Sequence, residues 1–151
     1  MSIAREFPYG AFNFKVTISG VVEGDGSLGG FSDVSGLGTE LMMAEYRYGN
    51  DKENHVRKLV GLHKVSDVTL KRGLCNAGQL WGWINQVRVR GSAEARDVTI
   101  QLLDEAMTPV QTWKLVRAVP MKWTGPTLAA KAHGDVAIEE LTLSAEGLEF
   151  E

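Results

Sequence analysis

One cysteine, Cys75, stands in a chain of 151 residues, so no disulfide can form within it, and a reducing compartment is expected. No run approaches the roughly 18 apolar residues of a membrane-spanning helix, so no membrane span is expected. The first ten residues lack the apolar centre of a secretory signal. Synthesis and folding in the cytoplasm follow as the expectation, with any exit by another route. Positive charge is not in excess either: 16 Lys and Arg stand against 19 Asp and Glu, a net charge of −3. A protein built to hold nucleic acid needs a clustered basic face. The nearest basic grouping here is Lys71 and Arg72 with Arg88, Arg90 and Arg96, and no aromatics interleave to stack bases. It reads as solvated surface. The three histidines, His55, His63 and His133, have no metal-ligand spacing, and Cys75 has no Cys-x-x-Cys partner.

Apolar residues at 44% and charged residues at 23% are ordinary globular values. A domain of this length buries roughly 68–70% of its unfolded surface and needs no covalent staple. A single domain over residues 1–151 is expected, with residues 1–10 as an extended N-terminal arm. Seventeen glycines fall mostly between apolar runs, which suggests many turns.

Period two dominates the pattern. Phe12, Phe14, Val16 and Ile18 alternate with Asn13, Lys15, Thr17 and Ser19, which predicts a half-buried strand over 12–22. Gly24-Asp25-Gly26 supplies a turn. A short return strand spans 31–34 and is broken by Ser35-Gly36-Leu37-Gly38. Residues 39–48 read as a strand closed by Gly49, although a short helix fits the first part. Residues 50–58 are polar, with only Val56 to bury. Val68 and Leu70 alternate with Asp67, Thr69 and Lys71 over 65–72. The one helix starts behind Asn76 as N-cap, carries Leu80, Ile84 and Val87 as an apolar stripe, and fades by Gly91. Strands over 98–102, 111–119 and 136–148 follow, separated by a turn at 104–108 and a Gly125-Pro126 loop. Six or seven strands and one helix imply a sandwich or barrel.

Chemistry is hard to find. Gly24-x-Gly26-x-x-Gly29 with Glu45 farther on matches a dinucleotide fingerprint on paper. That motif requires a helix immediately after it, and Gly30, Gly36 and Gly38 forbid one. No Gly-x-Ser-x-Gly elbow occurs. Cys75, just before the helix, reads as an inert packed thiol. Trp81, Trp83 and Trp113 read as core packing. No catalytic residue, metal or cofactor is expected.

Several blocks, in order, resemble the tube proteins of contractile phage tails and extracellular contractile injection systems. They are Phe12-Asn13-Phe14, Gly30 to Leu37, Glu45-Tyr46-Arg47 with Gly49-Asn50-Asp51, and Thr69 to Gly73. Leu80-Trp81-x-Trp83, Leu102 to Glu105 with Trp113, and Ala118 to Pro126 continue the match. Val136-Ala137-Ile138-Glu139-x-Leu141-x-Leu143 and Glu146-Gly147-Leu148 finish it. The block ending Lys122-Trp123-Thr124-Gly125-Pro126, with the Val-Ala-Ile-Glu strand, is the most specific part. Two departures stand out: a long first hairpin at 22–28, and Met42-Met43-Ala44 where β-branched residues are usual.

The resemblance implies a mainly β (α+β) fold: a barrel of two packed antiparallel sheets with one flanking α-helix, like the type VI secretion tube protein. It implies rings of six copies, stacked into a tube within a sheath, with baseplate and cap proteins as partners and possible cargo in the lumen. It carries over no catalytic residue. Under it, Asp51, Lys52, Glu53, Arg57 and Lys58 are the ring-to-ring contact candidates, on a loop that orders against the next ring. Glu45, Arg47, Thr69 and Lys71 are the lumen-facing candidates, a pattern that a solvated exterior face explains equally well. A tube-initiator ring joining baseplate to tube, and a small-ligand-binding β-barrel, are the rival readings.

Overall fold

A computed structural model describes residues 7–20, 30–73, 78–131 and 134–151. The turn at 24–26, the glycines of the dinucleotide-like motif, Cys75, the Asn76 cap, His133 and residues 1–6 lie outside the described residues. Within them nine strands and one helix run in the order β1 (Phe14–Ile18), β2 (Asp33–Ser35), β3 (Thr39–Tyr46), β4 (Arg57–Val65), β5 (Val68–Gly73), α1 (Gly78–Arg90), β6 (Arg96–Leu103), β7 (Pro109–Thr124), β8 (Ile138–Ser144) and β9 (Gly147–Phe150). A short 3-10 turn, Gly91–Glu94, follows α1.

Seven strands form one antiparallel sheet in the order β1-β6-β7-β8-β5-β2, with β9 also on β7; β3 and β4 form a separate two-stranded sheet. The two antiparallel sheets and single helix match the expectation, with one difference. The large sheet bends without closing into a barrel: β1 and β2 end it and do not pair with each other.

The bend is made within β7. Its first part pairs with β6 on one edge and β9 on the other, and its last part pairs with β8. The pairs Val116↔Gly147 and Val119↔Ser144 belong to one continuing run, so β8 and β9 together are the long final strand that the sequence predicts. The β6 register shifts between Arg96 and Val98, beside Arg117, which sits at φ 52. Asp97 Oδ1 accepts the Arg117 backbone N–H at 3.2 Å, holding this bulge. A bulge of this kind bends the strand that carries it. Pro120, within β7, has no N–H to donate, and a second shift follows it.

Alternation decides what is inside. Val16, Ile18, Val98, Ile100 and Leu115 fill the core from one half of the sheet, and Val68, Leu70, Leu141 and Leu143 from the other. Helix α1 covers them with Leu80 and Trp83, and Ile84 and Val87 pack at the margin, as the stripe predicts. Trp83, 1% exposed, donates its indole N–H to the Glu94 carbonyl at 2.8 Å. Trp113 packs on the core beside Phe150, whereas Trp81 stays partly exposed against Trp123.

Candidate assembly surfaces

The β3–β4 hairpin is the least self-sufficient part of the chain. Every described position from Thr39 to Lys64 is exposed except Asp51, and Val65 at the root is buried. Cross-strand partners share a face. One face carries Leu41↔His63, Met43↔Val60 and Glu45↔Lys58, and the other carries Ala44↔Leu59 and Tyr46↔Arg57, with Met42 and Leu62 between these and Glu40↔Lys64. The register shifts between Leu41 and Met43, where Met42 faces two residues of β4, Gly61 and Leu62. Leu62 is 83% exposed, Val60 66% and Leu59 56%. Both faces are therefore apolar at the centre and open to solvent. Strand β4 was not legible in the sequence, because Leu59, Val60 and Leu62 do not alternate with polar residues.

Gly36 anchors the root. Its φ is +89, and a Cβ there would sit 2.1 Å from the Asp67 carbonyl oxygen. Ser66 N–H donates to the Gly38 carbonyl at 3.1 Å, closing the two chains on each other.

At the tip, the segment expected to order only on contact already has an internal scaffold. The Arg47 guanidinium donates to the carbonyls of Asp51 at 3.1 Å and Glu53 at 3.3 Å. Asp51 accepts the Tyr48 N–H at 3.1 Å, and Arg57 lies 3.8 Å from its carboxylate and 5.4 Å from the Tyr48 ring centre. Glu53 pairs with His55. Of the five ring-contact candidates, Asp51, Glu53 and Arg57 are thus engaged within the tip. Lys52 and Lys58 make no ion pair with another described residue.

The lumen-facing candidates divide between two places. Glu45 lies on the hairpin opposite Lys58, and Arg47 supports the tip. Thr69 and Lys71 lie on the outward face of the large sheet, since Val68, Leu70 and Arg72 between and beside them point inward. Two cross-strand rows pass through them: Ser35–Thr69–Thr142–Lys122 and Asp33–Lys71–Glu140–Thr124. That face is hydroxyl-rich, of mixed charge and almost free of apolar side chains.

Behind the same strands lies a buried polar cluster. Arg72 and Glu139, 1% and 4% exposed, are cross-strand partners, and Arg72 Nε donates to Glu139 Oε1. Glu139 Oε2 accepts the Trp123 indole N–H at 3.2 Å. Trp123 packs on Trp81 of α1 at 4.8 Å, and the Phe31 ring lies 5.6 Å from the Arg72 guanidinium. A Cβ at Gly125 would come within 2.9 Å of the Trp123 ring. The two most specific blocks of the resemblance, at 122–126 and 136–139, thus meet at this cluster.

The described residues thus form an open, bent antiparallel sheet with a polar outer face, one covering helix and a projecting apolar hairpin. The profile of the family described as T4-like virus tail tube protein gp19 matches residues 10–149, and the chain belongs to that family. Its role is that of a structural tail tube protein. A chain of the extended sheath–tube complex of an extracellular contractile injection system, PVC, is 30% identical. The match covers 97% of this chain and 93% of that one, with a TM-score of 0.80. A chain of the anti-feeding prophage baseplate, 6-fold symmetrised, is 26% identical, covers 97% of each chain and has a TM-score of 0.81. A type six secretion system protein shares the fold alone, at 10% identity over 93% of this chain and 83% of that one, with a TM-score of 0.55. No curated protein sequence matches the chain.

Proposed function

We propose that the chain forms rings of six copies that stack into the inner tube of an injection particle or phage tail, with hairpin β3–β4 buried between copies. The observation that carries this reading is the hairpin with apolar residues on both exposed faces. A two-stranded ribbon alone is marginal in water, and patches of this kind mark interaction sites. A ribbon apolar on one face needs one partner surface; this one needs two. The edges of β1 and β2, unpaired among the described residues, support the same reading, since an unpaired edge templates pairing with another chain. Head-to-tail edge contacts that close by rotation make a ring.

Sheath, baseplate and tube-cap proteins are the partners in this reading. It is supported by likeness to chains from a PVC sheath–tube complex, an anti-feeding prophage baseplate and an anti-feeding prophage tube-terminating cap. The six-fold symmetry named for the baseplate supports six copies. The hydroxyl-rich face around Thr69 and Lys71 lines the lumen, where a wet, weakly adhesive wall lets the contents slide. Assembly takes place in the cytoplasm, before the particle is released. The tube-initiator reading shares every one of these features and differs only in how far stacking runs.

Sedimentation and negative-stain microscopy of the purified chain across a concentration series test this. Six-fold rings and tubes are expected, and rings that never stack would favour the initiator. A 16.5 kDa monomer at every concentration would overturn both.

A further inference from the structure

Strands β5 and β8 are neighbours in the sheet, yet Arg72 and Glu139 are 67 positions apart in the chain. No hairpin turn joins these strands, so turn geometry cannot set their register. The apolar pattern cannot set it either. Inward positions of β5 are Val68, Leu70 and Arg72, and those of β8 are Leu143, Leu141 and Glu139, paired in that order. A slip of two residues keeps the same side chains pointing inward. In one direction it brings Leu70 opposite Leu143, in the other Val68 opposite Leu141, and both are good apolar pairs. Only the third position tells the registers apart. Slipped one way, Arg72 faces Leu141; slipped the other, Glu139 faces Leu70. Either arrangement breaks the direct contact between two buried charges, and a buried charge without its partner is strongly disfavoured.

We propose that Arg72 and Glu139 are positioning residues that select the β5–β8 register, and that the pair confers specificity rather than stability. Glu139 spans three strands, taking Arg72 of β5 with one oxygen and Trp123 of β7 with the other. Through Trp123 and Trp81 the same group reaches α1. The functional consequence rests on the tube reading. A two-residue slip displaces the outward rows by roughly 7 Å along the strands. Thr69 and Lys71 would then no longer align with Thr142 and Glu140, and every copy would offer its neighbours a different surface.

Cross-strand disulfides report the register from the outward face, in a Cys75→Ser background. Thr69→Cys with Thr142→Cys reads the observed pairing. Thr69→Cys with Ser144→Cys, or with Glu140→Cys, reads the two slipped ones. With Arg72 and Glu139 intact, only the first pair is expected to cross-link on mild oxidation. In Arg72→Met/Glu139→Leu the slipped products are expected to rise from absent to comparable with the first, while the melting temperature holds or increases. A double variant that keeps only the Thr69–Thr142 cross-link overturns the proposal. One that fails to fold also overturns it, because the pair would then be needed for stability itself. The cross-links are read in monomer, ring or tube alike, so a chain that never assembles would sink the tube reading and leave this result standing.

Discussion

The large sheet and the β3–β4 hairpin are both antiparallel and both rich in apolar residues, but they distribute them differently. In β5 the burial alternates strictly, with Val68, Leu70 and Arg72 inside and Thr69 and Lys71 at the surface. In β3 every residue is exposed, and in β4 every residue but Val65. Period two records that one face of a strand meets the chain's own core while the other meets water. Its absence from Leu59, Val60 and Leu62 goes with a ribbon that none of the other described residues covers on either face. Under the proposed assembly, the difference separates what a single copy completes from what neighbouring copies complete.

The largest expected effect lies on the sheet side of that comparison. Leu115→Ala and Leu80→Ala each remove a side chain from the core. Truncations of this type destabilise by about 2–5 kcal/mol. Thermal or urea unfolding of the isolated chain should show it for both. Ile84→Ala, at the margin of the core, should fall at the low end of that range or below. Unchanged melting of the Leu80→Ala/Ile84→Ala double variant would break the assignment of α1 to the core.

Next in size is the hairpin, where the effect should move from folding to association. Val60→Ser/Leu62→Asp changes one residue on each face. Exposed positions without special contacts usually alter stability by no more than about 0.5 kcal/mol. Burying such a side chain in a contact contributes about 1.5–3 kcal/mol, so rings or tubes should weaken sharply while the monomer melts as before. A variant that assembles normally would show that the apolar faces are not where copies meet.

Smaller again is the root. Gly36→Ala places a methyl group against the Asp67 carbonyl and forces an L-residue to φ +89. Such backbone conformations cost roughly 1–3 kcal/mol. The effect should fall on the orientation of the hairpin, read as slower assembly with a modest loss of melting temperature. Gly134 is also at positive φ, but a Cβ there meets nothing within 4 Å. Gly134→Ala is therefore the milder control.

How much of this was legible in the sequence follows the same division. The phases of β1, β5 and β6 could be read because one buried face imposes alternation, and the α1 stripe because Leu80, Ile84 and Val87 repeat at helical spacing. The long final strand was read as one element, which its continuous pairing along β7 supports. β4 was hidden because Leu59, Val60 and Leu62 are exposed among the described residues, so no buried face imposes alternation on it. Arg72 was read as part of a solvated basic surface and Glu139 only as part of a family block, although each continues the inward phase of its strand, after Val68 and Leu70 or before Leu141 and Leu143. A charge standing in phase with core residues on two strands was the available signal. The contacts of Arg47 were hidden for a different reason: its partners are backbone carbonyls, which composition does not display.

The smallest expected effect concerns the tip, where the division between complete and incomplete is least sharp. Residues 50–58 read as a charged segment with little to bury, which motivated a loop ordered only by the next ring. The tip carries internal hydrogen bonds, from Arg47 to the Asp51 and Glu53 carbonyls and from the Tyr48 N–H to Asp51. Under the proposed stacking, the charges with no described ion-pair partner, Lys52 and Lys58, are the ones free to meet acidic groups of the adjacent ring. Each exposed pair is worth about 0.2–1 kcal/mol and is screened by salt. Repetition around a ring makes the sum count without any single pair being strong. Lys52→Ala/Lys58→Ala should therefore shorten tubes at physiological salt and leave rings intact. The wild-type chain should show the same order of events as salt rises, with stacking lost before rings. Replacing residues 51–56 with a Gly-Ser connector should go further than the lysine variant, because it also releases the Arg47 scaffold. Tubes of full length from both variants would place stacking on the apolar faces of the hairpin alone.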